Sequence, residues 1–257
     1  MIKKIIKHSA ITLIWIGIWQ LTAMAVGHEL LFPTPWAVIL RLGELMLTAN
    51  FYTTVGYSLL RILIGMIIGT LLGAFGGLLT ACSKSARDLF APLLAVIKAT
   101  PVASFIILLV LYISRDLTPL FISLMMVTPI VWTGVETGMI NTDKCLLEMA
   151  RAYKMSRAAQ IKHIYLPTVA PYFLASLRSS LGMAWKAGIA AEVLLTPIIS
   201  IGKMISDSKI LLETTDLFAW TAVVVILSVI IEKIMVFVLK KALKNHSFDS
   251  KGGVTLG

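Results

Sequence analysis

The sequence predicts an all-α polytopic membrane protein with six transmembrane helices. Three observations carry that prediction. Of 257 residues, 58% are apolar and only 14% charged, against about 25% charged in soluble domains, so there is too little polar material to clothe a soluble fold of this length. Six stretches have the length and apolarity of spanning helices, which need roughly 20 apolar residues. Basic residues gather in alternate connections between those stretches, as they do on the cytoplasmic side of membrane proteins. A soluble enzyme, a nucleic-acid-binding domain and a disordered chain are excluded. The net charge of +10 belongs to cytoplasmic loops rather than to a nucleic-acid partner.

The first span covers about Ala10–Val26. Its basic lead and Ala23-Met24-Ala25 give it the outline of a secretory signal, but the run carries Trp15 and Trp19 and is long for one, so it reads as a retained span. In the outside segment that follows, Thr34 is placed to cap a helix and Pro35 suits the first helical position. Trp36–Leu47 then reads as a short helix along the membrane surface.

The second span, about Val55–Ala81, carries Arg61, Gly65, Gly69, Gly73, Gly77 and Ala81 at intervals of four. On a helix this is one stripe of small residues, which lets a neighbouring helix approach closely in lipid. Arg61 either snorkels outward or pairs inside the bundle. The third span, about Leu89–Ile113, is bent by Pro92 and Pro101, with Lys98 between them. The fourth is about Leu117–Ile140 and the sixth about Leu217–Leu239. The fifth, about Thr168–Leu195, is crowded with Gly182, Ala184, Ala187, Gly188, Ala190 and Ala191 and also holds Arg178, Lys186 and Glu192. A helix so small-sided and so charged belongs in the bundle interior. Lys186 and Glu192 stand about 240° apart around it and are poor partners for each other. With Lys98 they are the candidates for a translocation path, or for structural pairing with other helices.

Of the 23 Lys and Arg, 14 lie in the N-terminal segment, the loops after the second and fourth spans, and the C-terminal tail. Four lie in the alternate segments: Arg41, Arg115, Lys203 and Lys209. This bias places both termini in the cytoplasm. Cys82 and Cys145 are free thiols in inside loops, and the four histidines are too scattered to form a metal site with them. No phosphate-cradling loop is present: Gly202-Lys203 is followed by Met204, and Pro197 stands where the first glycine is required. No catalytic constellation suggests an intramembrane enzyme. A channel or secondary transporter would need a ring of pore charges or an inverted repeat. The chain therefore reads as a transport subunit powered by something else.

The longest inside loop, NTDKCLLEMARAYKMSRAAQIKHIYLPTVAPYF, has its own order. Thr142 or Asp143 caps a helix to about Tyr153, and Ser156 caps a second that ends before Pro167. Leu146, Ala150 and Tyr153 share a face of the first.

Here the sequence resembles a known family. Glu148-Met149-Ala150, three residues, Lys154, nine residues and Ile164-Tyr165-Leu166-Pro167 follow the EAA loop of bacterial ABC importer permeases, with Met149 for an alanine and Lys154 for the glycine. LLFPTPWAV, YSLLRILIGMIIGTLLG, PLLAVIKATPVASF and WKAGIAAEVL resemble the nitrate/sulfonate/taurine branch. The resemblance implies the type I importer fold, a single permease domain over residues 1–257, and a coupling-helix loop at 141–167. It implies a non-catalytic subunit of an ATP-driven importer in the bacterial inner membrane, translocating a small sulfonate-, nitrate- or taurine-like solute; a permease of another substrate branch is the alternative. The implied partners are a dimer of cytoplasmic ATP-binding subunits, a second permease copy (identical or not), an external substrate-binding protein and the bilayer, with no nucleic acid. No cofactor is expected on this chain, ATP and Mg2+ being used by the partner ATPase. By the same resemblance Glu148, Ala150, Met155, Ile164, Leu166 and Pro167 form the ATPase-coupling set, with Ala150 and Met155 filling a groove on the ATPase.

The orientation has a direct check. In a Cys82→Ser, Cys145→Ser background, Ala49→Cys and Lys203→Cys should react with an impermeant thiol reagent in intact cells, whereas Lys84→Cys and Lys154→Cys should not. Labelling at Lys154→Cys from outside would invert the topology.

Overall fold

The computed structural model describes the backbone of residues 2–245 and the side chains of residues 11–238. The basic side chains counted at the two ends (Lys3, Lys4 and Lys7; Lys240, Lys241, Lys244 and Lys251) lie outside the described ones. The helices are α1 (Ile2–Val26), α2 (Pro35–Met46), α3 (Ala49–Cys82), α4 (Lys84–Ala99), α5 (Val102–Val110), α6 (Thr118–Ile140), α7 (Lys144–Ala152), α8 (Arg157–Gln160), α9 (Leu166–Leu195), α10 (Ile201–Ile210) and α11 (Thr214–Asn245), with a π turn at Ile161–Tyr165 between α8 and α9. All six expected stretches are helical. Among the described residues, three helices are long and apolar enough to cross a membrane outright: α3, α6 and Thr214–Val238 of α11. In α1 the apolar part among the described side chains is the shorter Ile11–Val26. At 30 residues, about 45 Å at 1.5 Å per residue, α9 has the length to cross, but Arg178, Lys186 and Glu192 interrupt its apolarity.

The third span departs from expectation. It is two helices, α4 and α5, meeting at 100°. Pro92 is carried inside α4 without a break. Pro101 is the breaker, because it cannot donate to the ladder and pushes the residue before it out of the helical region. Thr100 is extended (φ −77°, ψ 129°), and its hydroxyl donates back to Val96 O at 2.7 Å.

The chain forms two compact units. One comprises the residues up to Leu60 with Ile189–Leu227. In it Thr34 Oγ1 accepts the Ala37 N–H and Pro35 opens α2, as expected. Trp19 packs among Phe32 and Phe218 and donates through Nε1 to Pro33 O at 3.1 Å. Phe51 stacks on Trp220. Arg41 of α2 grips Asp216 at the start of α11 through two nitrogens and Glu44 through a third. The hydrogen bond to Asp216, with that to Glu44, holds the Arg41 guanidinium above its ordinary range.

Among the described residues, the second unit comprises Arg61–Gly188 with residues 228–245. Its centre is the contact of α3 with α6. A Cβ built on Gly65, Gly69, Gly73 or Gly77 would fall 2.2–2.7 Å from the carbonyl oxygens of Leu120, Leu124, Thr128 and Trp132. As the glycines step by four, so do the carbonyls facing them, so the two helices run parallel. The chain between them must return to its starting side, and the bent α4–α5 pair makes that single return. The stripe is thus a packing surface, as its spacing suggested. Gly76 leaves room for the Trp132 ring, whose Nε1 donates to Thr80 Oγ1 at 3.0 Å. On the other side of α6, Gly134 meets Ser176 and Tyr172, and Gly138 meets Val169 and Tyr172. There the numbering descends as α6 ascends, so α9 runs antiparallel to α6. Arg61 takes the pairing option, 3.4 Å from Asp116.

Gly73→Ala should therefore push α3 off Thr128 and Val131 and destabilise the protein by about 1–3 kcal/mol. Gly56→Ala, on the same helix but with open space around its Cβ, should be neutral or stabilising by up to about 1 kcal/mol. Thermal unfolding of the two variants in detergent compares them directly.

Candidate functional site

The loop between α6 and α9 is held by its own short-range hydrogen bonds. Asp143, not Thr142, is the cap: its carboxylate accepts the Cys145 N–H at 2.8 Å, an anion at the positive end of α7. Thr142 is buried and donates back to Gly138 O at 3.4 Å. At the other end of α7 the Met155 N–H reaches Ala150 O at 2.9 Å and the Lys154 N–H reaches Arg151 O at 3.0 Å. That pair of bonds is a Schellman closure, whose hinge residue sits in the left-handed region and is normally glycine. The hinge is Lys154, at φ 49°. The position where the family pattern carries glycine is thus the position whose geometry asks for it.

Ser156 then caps α8 as expected, accepting the Ala159 N–H at 3.3 Å. The second helix does not end before Pro167, however. It widens into the π turn at Ile161–Tyr165 and continues as α9. Pro167 falls in the first turn after the widening, where its missing N–H and bulky ring are tolerated better than in a helix interior.

The coupling residues divide into two groups. Ala150 and Ile164 are 0% and 5% exposed. Their side chains are spent inside this chain, so Ala150 cannot fill a groove on a partner, contrary to the expectation for it. Glu148 and Leu166 are exposed, and Met155 and Pro167 are half-buried. The outward face of α7 is instead Leu146, Met149 and Tyr153, which recur at helical spacing; Met149 and Tyr153 are 48% and 80% exposed. The pattern Leu146, Ala150, Tyr153 straddled the boundary between the two faces, and only burial separates them. Arg151, Lys154, Arg157, Lys162 and His163 are also exposed, so the surface is apolar within a basic surround.

The three path candidates part company as well. Lys98 is exposed at the end of α4 and donates to Thr133 Oγ1 of α6 at 2.7 Å. Lys186 is exposed on α9. Glu192 is completely buried, accepting from the Ser58 hydroxyl at 2.7 Å and from the Gly202 N–H at 3.3 Å. The sequence did not announce Ser58 or Gly202 as its partners. Gly202 was legible only as half of a failed nucleotide-binding pattern, and Ser58 as one hydroxyl in a span. The signal available was Ser200, a capping residue just ahead of Gly202. Among the described residues no cluster of His, Cys, Asp or Glu could hold a metal ion.

Comparisons with known proteins bear on the family and the fold. The family model described as the binding-protein-dependent transport system inner membrane component matches residues 62–245. The chain is 28% identical to a Bacillus subtilis (strain 168) transport permease named for aliphatic sulfonates, SsuC, covering 89% of this chain and 83% of that protein. It is 24% identical to the taurine transport system permease protein TauC of Escherichia coli (strain K12), over 83% and 80% of the two chains. Among solved structures, the crystal structure of an amino acid ABC transporter with histidines shares the fold at a TM-score of 0.55 and 16% identity, over 73% of this chain and 90% of that one.

Lys154→Gly should relieve the left-handed hinge and stabilise the loop by about 1 kcal/mol. Hydrogen exchange of the amides of residues 144–156 reads the effect. Faster exchange in the variant would mean that the hinge carries no strain.

Proposed function

The chain belongs to the binding-protein-dependent transport system inner membrane component family, and on that premise we propose how it works. It is an ABC importer permease, a non-catalytic multi-pass component of the inner membrane. The whole chain acts as one permease domain with both termini cytoplasmic, and ATP is hydrolysed by separate cytoplasmic subunits. An external binding protein delivers the solute, and a second permease copy completes the path. The solute is a small oxyanion-bearing molecule of the sulfonate or taurine kind. The names of the two relatives support that class, and so do Lys98 and Lys186, cations held exposed on two helices of the bundle.

The observation that carries the mechanism is the hairpin at residues 141–167. A short helix is fixed at its start by Asp143 and at its end by a Schellman closure, anchored inward by Ala150, and turned outward with Met149 and Tyr153 uncovered. An uncovered aromatic and methionine on a rigid, water-side helix form the anchor of a protein contact. The cytoplasmic ATPase is the partner that reading supplies. Glu148, exposed beside this face, offers a carboxylate to basic or N–H groups of the ATPase, with Met155, Leu166 and Pro167 completing the contact. Because the hairpin runs into α9 through the π turn, movement of the ATPase is passed to the helix that carries Lys186. Ala150 and Ile164 serve the same step from inside, by fixing the hairpin to its own chain.

Glu148→Ala and Tyr153→Ala should leave the permease inserted and folded but weaken its hold on the ATPase. Losing a desolvated charge contact costs about 2–5 kcal/mol, which is roughly a 30- to 5000-fold weaker docking equilibrium. Co-purification and ATP-driven uptake, measured on the same reconstituted sample, should fall together. Normal uptake with a retained ATPase in both variants would remove the hairpin from the coupling step.

A further inference from the structure

The joint between α9 and α10 is tighter than a connection between two helices requires. A helix start leaves its first amides without partners. At α10 those amides are taken by side chains: Ile201 N–H by Ser58 Oγ at 2.9 Å, Gly202 N–H by Glu192 Oε2 at 3.3 Å and Lys203 N–H by Ser200 Oγ at 3.0 Å. Ser58 completes the ring by donating to the same Glu192 oxygen at 2.7 Å. No room remains at Gly202, where a Cβ would stand 2.3 Å from Glu192 Cβ. The turn itself is strained: Thr196, a β-branched residue, sits at φ 47° directly before Pro197. Such a residue persists in the left-handed region only where its surroundings over-determine it.

Stability alone does not call for a carboxylate here. A buried charge is costly to desolvate, and an apolar replacement of similar volume often serves a fold as well. What the carboxylate adds is direction. Two donors from two different elements, α3 and α10, converge on one oxygen held by the last turns of α9, at the positive end of the α10 dipole. The far end of α10 is fixed too, by a second Schellman closure in which Leu212 N–H meets Lys209 O at 3.4 Å and Glu213 N–H meets Ser208 O at 2.9 Å. We infer that Glu192 is a positioning residue for transport: through Ser58 and Gly202 it locks α10 to the end of α9 and to α3, so that α10 moves with α9 as one piece in each transport cycle. This inference rests on the transport function proposed above, while the lock itself can be measured apart from it.

The experiment uses the complete transporter in proteoliposomes and four permease variants: Glu192→Leu, Glu192→Gln, Gly202→Ala and Ser58→Ala. Uptake is expressed per assembled complex. Glu192→Leu and Gly202→Ala should fall at least tenfold. Glu192→Gln, which keeps the shape and an acceptor oxygen, should stay within about threefold of the parent, a rescue that mere core filling would not give. A nitroxide pair on Tyr57→Cys and Ile210→Cys, both exposed, in the Cys82→Ser, Cys145→Ser background, reads the lock without transport. Its distance distribution should be narrow in the parent and in Glu192→Gln, and broad or displaced in Gly202→Ala and Glu192→Leu. If Glu192→Leu fails to assemble, Gly202→Ala and Ser58→Ala decide, since neither removes the carboxylate. Unchanged distances, or uptake that falls only in proportion to the amount assembled, would overturn the lock. Absence of ATP-driven uptake by the parent complex would instead overturn the proposed function, leaving the distances to judge the lock.

Discussion

Backbone-to-backbone approach between α3 and α6 is the constraint from which most of the second unit follows. In lipid there is no water to expel between helices, so two helices associate only if their surfaces fit closely. Here the fit is at the limit, with glycines of α3 set directly on carbonyl oxygens of α6. Because that contact is parallel, the intervening chain has to cross back once, and the bend at Thr100-Pro101 is part of how it does so. The polar ties between α4 and α6 follow the same geometry. Arg87 Nε lies 2.7 Å from Glu136 Oε1, and Lys98 reaches Thr133, so α4 is held on α6 near both of its ends. The Trp132 ring, seated over Gly76 and hydrogen-bonded to Thr80, fills the space between, with Phe90 of α4 5.3 Å from it.

Polar groups in such surroundings have to be answered by other polar groups, and the chain answers them pairwise across elements distant in sequence. Arg61 meets Asp116, Arg41 meets Asp216, and Glu192 meets Ser58 and the start of α10. Each partnership selects one arrangement of helices over others, because a helix rotated or slid away would leave a charge without its counterpart. The apolar contacts supply adhesion; these pairs supply register.

The hairpin shows a division of labour within a short segment. Its closure bonds and inward side chains fix its shape, and its outward side chains, Met149 and Tyr153 among them, are left uncovered. Lys154 marks where these demands meet, since the Schellman hinge wants glycine and the surface here is basic. A left-handed lysine keeps the bond pattern of the closure at a modest backbone cost.

The sequence by itself determined the class of the protein, the six helical stretches, the packing stripe on α3, the caps at Thr34 and Ser156 and the family resemblance of the hairpin. All of these are written in composition, in local spacing and in short-range side-chain chemistry, which a linear chain displays. It did not decide which of two local options would win: Asp143 over Thr142 as cap, or a π turn that lets a helix run on through Pro167. It also could not tell the inward side of the hairpin from the outward one, so Ala150 looked like a contact residue until burial showed it turned inside. Least legible was Glu192. A charge inside a span announces that it must have partners, but Ser58 lies 134 positions away and Gly202 carries no side chain to advertise itself. Those partners exist only once α3, α9 and α10 are packed, because convergence of donors on one oxygen is a property of three-dimensional placement and has no counterpart in spacing along the chain.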